Sequence, residues 1–232
     1  MITDAHMHIH VPSDVPYPDI DELRIICTCT ARRSEWNPLD GITDPRIRRY
    51  YGIHPWYCDE WDKECSASLR ELLASDRKAG VGEIGLDSVK GGDMDLQTEV
   101  FIQQLAIAKE TDRPVNVHMV GTEKRVLDSL RSSGIGTPVI LHSFRSESYV
   151  KPFAELGCYF SVNPRIASKD PQNVRRILDA IPLERLLVES DYPYCVKGFE
   201  GMGAFIRTLA GIMEISPDEL SGITEHNLRT IA

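Results

Sequence analysis

The sequence predicts an α/β fold of the (β/α)8 type, a TIM-like barrel distorted by shortened or missing helices after its first and second strands. Two observations carry the prediction. Eight apolar runs of strand length recur along the chain, with helical patterns in most of the intervals, and ionisable residues gather at the C-terminal ends of these runs.

Each element has a local reason. The first run, Ile2 to His8, is followed by the interval Val11 to Asp21, whose three prolines exclude a full helix. The second run, Leu23 to Cys29, is followed by Thr30 to Pro45, where Trp36, Pro38, Gly41 and Pro45 again leave no room for one. From the third run, Arg49 to His54, the alternation becomes regular. The spacing predicts a helix from Ser66 to Lys78 stopping at Gly80, a strand from Val81 to Leu86, a helix from Met94 to Thr111, a strand from Val115 to Met119, and a helix from Thr122 to Arg131 stopped by Ser133 and Gly134. Further strands are predicted at Val139 to His142, Cys158 to Val162 and Leu186 to Asp191, with shorter helices at Glu147 to Leu156 and Pro171 to Ile181. Ser216 before Pro217 and Glu219 reads as an N-cap, so the chain is predicted to end in two helices, Gly203 to Met213 and Pro217 to Thr230. With no internal repeat, low-complexity stretch or linker in view, residues 1–232 are expected to form a single domain near the lower size limit of this fold.

Composition narrows the function. The chain has 232 residues, with 26 Lys+Arg against 35 Asp+Glu and a net charge of −9, which argues against a broad basic field for nucleic acid or membrane. Any phosphate partner must be held locally. No apolar run approaches the roughly 20 residues of a membrane span. The opening MITDAHMHIH lacks the basic and apolar regions of a signal peptide, so a cytoplasmic protein is expected. The six cysteines, Cys27, Cys29, Cys58, Cys65, Cys158 and Cys195, form no CxxC and read as reduced thiols.

The ionisable residues carry the chemistry. His6 and His8 end the first run, Glu83 lies in the fourth, and His118, His142 and Asp191 end the fifth, sixth and eighth. In a barrel these ends meet on one face, and residues two apart in a strand point the same way. One histidine in a strand is more often a hydrogen-bonded structural residue than a ligand. Five of eight predicted strands carrying such a residue at the same end favour a metal site. Four histidines and two carboxylates exceed the needs of one tetrahedral ion, so two divalent ions sharing a bridging carboxylate are expected; these donors suit zinc, manganese or iron, and magnesium if water completes the shell. Water held between two such cations becomes a nucleophile near neutral pH. Asp191 is the expected proton acceptor, and Glu189, two residues earlier, either shares that face or packs behind a ligand. Arg145 and Arg165 follow the sixth and seventh runs, where each either bonds phosphate oxygens or stays a solvated loop residue. Trp56, Tyr57 and Tyr192 near the rim either stack on bases or pack.

The segments DAHMH (Asp4 to His8), GIHPW (Gly52 to Trp56), GEIGLD (Gly82 to Asp87), RPVNVH (Arg113 to His118), LHSF (Leu141 to Phe144) and LLVESDYPY (Leu186 to Tyr194) occur in this order across nearly the whole sequence. In that order they resemble the TatD-like metal-dependent hydrolases of the amidohydrolase superfamily. The resemblance implies a distorted barrel with two divalent metals and phosphodiesterase activity on DNA, typically removing nucleotides from an end. It implies His6, His8 and Asp191 as ligands of the first ion, His118 and His142 as ligands of the second, and Glu83 as the bridge where other superfamily branches use a carboxylated lysine. Glu83 and Asp191 are then the catalytic carboxylates. His54, in GIHPW, looks like the family's substrate-phosphate histidine, against the plainer reading of a turn histidine before Pro55.

Two departures concern the substrate. Proline-rich loops replace the hydrophilic helices the family usually carries after its first two strands, and Arg145, Ser146, Ser88 and Val89 stand where relatives commonly differ. The expected function is a divalent-metal-dependent hydrolase, a TatD-like deoxyribonuclease or phosphodiesterase acting on DNA or oligonucleotide ends. The alternative is a two-metal hydrolase of a small ester or amide, because the same activated water attacks a carbonyl.

Overall fold

Eight strands form one sheet in the order β1-β2-β3-β4-β5-β6-β7-β8 in a computed structural model of the chain, which describes residues 2–168, 170–195 and 199–231. The strands are β1 (Ile2–Met7), β2 (Leu23–Cys29), β3 (Ile47–Tyr51), β4 (Gly80–Asp87), β5 (Val115–Val120), β6 (Val139–Leu141), β7 (Tyr159–Val162) and β8 (Leu186–Val188). The helices are α1 (Trp36–Asp40), α2 (Lys63–Ser75), α3 (Met94–Thr111), α4 (Glu123–Ser133), α5 (Val150–Ala154), α6 (Pro171–Ala180), α7 (Met202–Met213) and α8 (Pro217–Arg229). Strict sequential order with parallel pairing is the (β/α)8 pattern read from the sequence. The interval after β1 holds only a 3-10 turn, Ile20–Glu22, and the interval after β2 holds a 3-10 turn and the five-residue α1. Prolines keep both short.

Residues group into two compact units: Met1–Thr28, Asp44–Ile47 and Ser143–Ala232 in one, Cys29–Thr43 and Arg48–His142 in the other. In the first, β1 pairs with β2 and β7 with β8, while the amide of Asp191 donates to the His6 carbonyl (3.0 Å) just past the end of β8. Asn227 on α8 donates to the carbonyls of Leu183 (2.7 Å) and Leu186 (2.9 Å), fixing that helix at the start of β8. Asp19, in the proline-rich loop, accepts from the amides of Met202 (3.0 Å) and Gly203 (2.8 Å) and so caps α7 from a distance. In the second unit β4 lies between β3 and β5, buried along its whole length. Two buried glutamines on α3 tie it to strand ends: Gln104 exchanges bonds with the backbone of Ile53 just after β3 (2.8 and 3.0 Å), and Gln97 accepts from the amide of Asp87 at the end of β4 (2.8 Å). Buried amides satisfied in this way hold the helix and strand ends in register.

The boundaries differ from the predicted ones where a local group decides. β3 ends at Tyr51, earlier than predicted, and His54 instead caps the 3-10 segment Pro55–Glu60; Pro55 lacks an amide and holds His54 extended. Asp62 accepts from the amide of Cys65 (2.7 Å), starting α2 three residues before the predicted Ser66. The predicted helix from Glu147 to Leu156 is a 3-10 turn, Glu147–Tyr149, followed by the short α5. Pro152 removes the amide that would bond back to Ser148, and Gly157 in the left-handed region (φ 77°) ends the segment. β6 and β8 stop at Leu141 and Val188, so His142, Glu189 and Asp191 sit just beyond the strand ends.

Close strand approach in GEIGLD depends on missing side chains. A Cβ on Gly85, at φ 145°, would lie 1.9 Å from the carbonyl oxygen of His118, its register partner. Gly85→Ala is therefore expected to destabilise the fold by about 3–5 kcal/mol, read as a lower urea midpoint; an unchanged midpoint would show that β4 relaxes freely here.

Candidate metal centre

Strand alternation builds the cluster of the second unit. Glu83, Gly85 and Asp87 occupy alternate positions on β4, and Gly85 faces His118 on β5. With no side chain at position 85, the His118 ring lies between the two carboxylates: Nδ1 is 2.8 Å from Glu83 Oε1 and Nε2 is 3.1 Å from Asp87 Oδ2. His142 Nε2 is 3.9 Å from the same Glu83 oxygen, and its ring stacks on His118 with centroids 6.1 Å apart. All four are buried. Burial works against a charged His118, but the bonds to Asp87 and Glu83 outweigh it and raise its pKa to about 9. Burial likewise opposes ionisation of Asp87. Bonds from His118, Trp56 and the amides of Lys90 and Val89 overcome it and hold the carboxyl well below its ordinary range.

His54 belongs to this unit and has a distinct role. One donor atom from each of His54, Glu83 and His118 lies within 4.8 Å of the others, and His54 Nε2 is 3.5 Å from Glu83 Oε1. Its Nδ1, however, accepts the amide of Trp56 (3.2 Å). That bond places the proton of the neutral ring on Nε2, which makes the nitrogen facing the cluster a donor and suits it to an anionic oxygen.

In the first unit a second cluster forms where β1 meets the segment after β8. His6 Nε2 and His8 Nε2 converge to 3.1 Å, and each is 3.9 Å from Asp191 Oδ1. Asp191 adopts φ 55°, a left-handed conformation that a short polar residue tolerates, and its amide is held by His6. Its other oxygen, Oδ2, pairs with Arg165 Nη1 at 2.9 Å, while Arg165 Nη2 donates to the Tyr194 carbonyl (2.8 Å). Glu189 packs behind: its Oε1 accepts from the amide of Ser143 (2.8 Å) and from Asn163 Nδ2 (3.2 Å). Arg145 is exposed.

The donor chemistry fits a divalent cation. Buried imidazole and carboxylate donors converge in each cluster, and such donors bind zinc, manganese or iron.

Sequence reasoning missed several supporting residues. Asp4 Oδ1 accepts from the amides of His6 (3.1 Å) and Ser190 (3.0 Å), and Oδ2 accepts from Tyr17 (2.9 Å), so one carboxyl ties β1 to the segment after β8. Burial raises it to about 7 against those bonds. Asp87 and Asn163 were equally unread. The signal was the period of two: Asp4 precedes His6 and His8 on one strand face, as Glu83 precedes Asp87. The rim aromatics are engaged: Trp56 donates to Asp87 Oδ2 (2.7 Å), Arg32 covers Tyr57 at 4.2 Å, and Tyr192 is buried with its hydroxyl on the Val15 carbonyl (2.6 Å).

Comparison with known proteins gives the family. The TatD related DNase family matches residues 3–232. This chain belongs to that family. An uncharacterized metal-dependent hydrolase, TatD of Mycobacterium tuberculosis, is 29% identical over 213 residues, 85% of this chain and 78% of that protein. A 3'-5' ssDNA/RNA exonuclease TatD of Edwardsiella piscicida is 33% identical over 147 residues, 62% of this chain and 56% of that protein. The crystal structure of YJJV, a TatD homolog from Escherichia coli, superposes with a TM-score of 0.84 at 23% identity, covering 99% of this chain and 97% of the other. That likeness shows the TatD barrel fold. Among the described residues no helix is long and apolar enough to cross a membrane.

Removing one cluster carboxylate tests the centre directly. Glu83→Gln is expected to lower divalent-ion affinity at least about tenfold in a chelator-competition titration of the folded protein; undiminished affinity would exclude Glu83 as a ligand.

Proposed function

We propose that this protein is a divalent-metal-dependent phosphodiesterase that removes nucleotides from DNA or oligonucleotide ends. The observation that carries this reading is the convergence of buried imidazoles and carboxylates at strand ends in a chain of the TatD family. His6, His8 and Asp191 would hold one ion, and Glu83, His118 and His142 would hold another; zinc, manganese and iron are the candidate ions, with magnesium where water completes the shell. The Edwardsiella relative, a 3'-5' ssDNA/RNA exonuclease, supports nucleic acid as substrate.

Divalent ions held by these residues would supply Lewis-acid polarisation of a phosphoryl oxygen and acidification of a water. The remaining work belongs to the chain. Asp191 accepts the proton of the attacking water and returns it to the leaving oxygen; its amide donates to the His6 carbonyl and its carbonyl accepts the amides of Tyr194 and Cys195, which fixes the backbone that carries the carboxylate. Arg165, anchored by Asp191 and Tyr194, presents its guanidinium to a phosphate oxygen. His54 directs its Nε2 proton at the phosphate, because Trp56 occupies its other nitrogen. Arg145 is a further phosphate contact from the loop after β6, where its side chain is exposed.

The test is turnover of a short single-stranded oligonucleotide beside a panel of small esters and amides, with magnesium, manganese or zinc supplied. Oligonucleotide cleavage from an end is expected, with Asp191→Asn lowering kcat by about 10²–10⁴-fold. His54→Ala is expected to lower cleavage by about 10²-fold while leaving ion content unchanged; ion loss equal to the activity loss would make His54 a ligand. Turnover confined to carbonyl substrates would keep the site and overturn the substrate.

A further inference from the structure

Asp87 has no place in the ligand set or the chemistry described above, yet it is among the most heavily bonded carboxylates of the second unit. Its Oδ2 takes the indole proton of Trp56 (2.7 Å) and faces His118 Nε2 (3.1 Å), and its Oδ1 takes the amides of Val89 (2.8 Å) and Lys90 (2.9 Å). It is 3% exposed. The loop it gathers returns over the indole: Lys90 Nζ lies 3.7 Å from the centre of the Trp56 ring. His54 meets the same ring edge-on, with centroids 4.7 Å apart. Trp56 is therefore flanked by Lys90 and His54 while still 38% exposed, and its indole nitrogen is bonded to Asp87.

We infer that Asp87 is a positioning residue for His118, and that Trp56 acts through it. An ionised carboxylate only accepts, so His118 Nε2 must be the donor of that bond. In the neutral ring the proton is thereby fixed on Nε2. Nδ1, which faces Glu83, is the nitrogen left with a lone pair for a cation. The indole N–H takes up one lone pair of Oδ2 and keeps that oxygen directed along β4, and the two loop amides hold the other oxygen. A carboxylate without these donors has freedom to rotate, and His118 then loses both its tautomer preference and its ring angle. Trp56 thus serves the centre through Asp87, while the loop at Val89 and Lys90 is tied to a ligand through a single side chain.

This inference rests on the reading of His118 as an ion ligand, and its test needs no substrate. Zinc affinity of the full chain is measured by chelator competition for the wild type, Asp87→Asn, Trp56→Phe and the double variant. The cobalt(II)-loaded forms are compared by their visible ligand-field bands. Asp87→Asn is expected to weaken uptake of one ion by about 10- to 100-fold. Trp56→Phe, which changes no charge, is expected to weaken the same ion less and to shift the same cobalt bands. The double variant is expected to be no worse than Asp87→Asn alone, since Trp56 acts only through that carboxylate. A purely structural role for the pair would lower melting temperature and leave the cobalt bands in place, which overturns the inference. Additive losses in the double variant overturn the route through Asp87. A wild type that takes up no ion overturns the ligand reading together with this one. Should Asp87→Asn fail to fold, Trp56→Phe alone decides: unchanged affinity and bands overturn the inference.

Discussion

At the register pair Gly85 and His118, the β5 backbone comes so close that position 85 has no room for a side chain. The space left at position 85 is taken by the backbone of His118. Glu83 and Asp87, two residues before and after that glycine, then reach its two ring nitrogens, with the β4–β5 register shifted between Val81 and Ile84, the stretch that carries Glu83. Shifting the register by one residue would turn both carboxylates to the opposite face of the sheet. The chemistry of this unit therefore depends on a packing constraint whose residue carries no functional group.

Burying carboxylates at such a place is costly unless the charge is answered. The protein answers it differently at different positions. Asp87 is surrounded by four donors, which outweigh burial and keep it ionised. Asp4 also takes bonds from Ser190, Tyr17 and the His6 amide, but its complete burial outweighs them and its pKa rises to about 7. Glu83 shares its charge with His118, whose imidazolium is favoured by the two carboxylates beside it. A cation arriving at these donors replaces a proton that the same field already holds, so the electrostatics that favour the imidazolium are those that favour the ion.

Much of this was legible in the sequence. The Met94–Thr111 helix and the Leu23–Cys29 strand are found with the predicted bounds, because Asp93 caps the helix and proline-rich intervals isolate the strand. The ordering of eight strands followed from hydrophobic period, and so did the placement of His6, His8, Glu83, His118, His142 and Asp191 at or just past strand ends. Other features depend on groups distant in sequence. The end of β3 is set by Pro55 and by the Thr30 side chain, which accepts from the amide of Gly52 (3.0 Å). Asp4 and Asp87 looked like ordinary polar positions because their partners, Ser190 and His118, lie 186 and 31 residues away. Trp56 gave no hint that its indole nitrogen is committed to a carboxylate 31 residues on.

The acid balance of the chain bears on how a nucleic acid would be held. A net charge of −9 repels a long phosphate backbone. The cations near the clusters are also largely engaged: Arg165 is paired with Asp191, Arg32 with Glu60 and the face of Tyr57, and Lys90 with Trp56. Proteins that track a duplex or a long single strand spread unpaired Lys and Arg along a groove, and their affinity falls steeply with salt. Under the proposed function the attraction for phosphate comes instead from the bound ions, from the Nε2 proton of His54 and from one anchored guanidinium. Such a set grips one or two phosphates, and a strand's end offers those without bringing the rest of its charge against an acidic surface. Under that function, negative charge on the protein and attack at a terminus belong together, because repulsion grows with every additional phosphate brought against the protein.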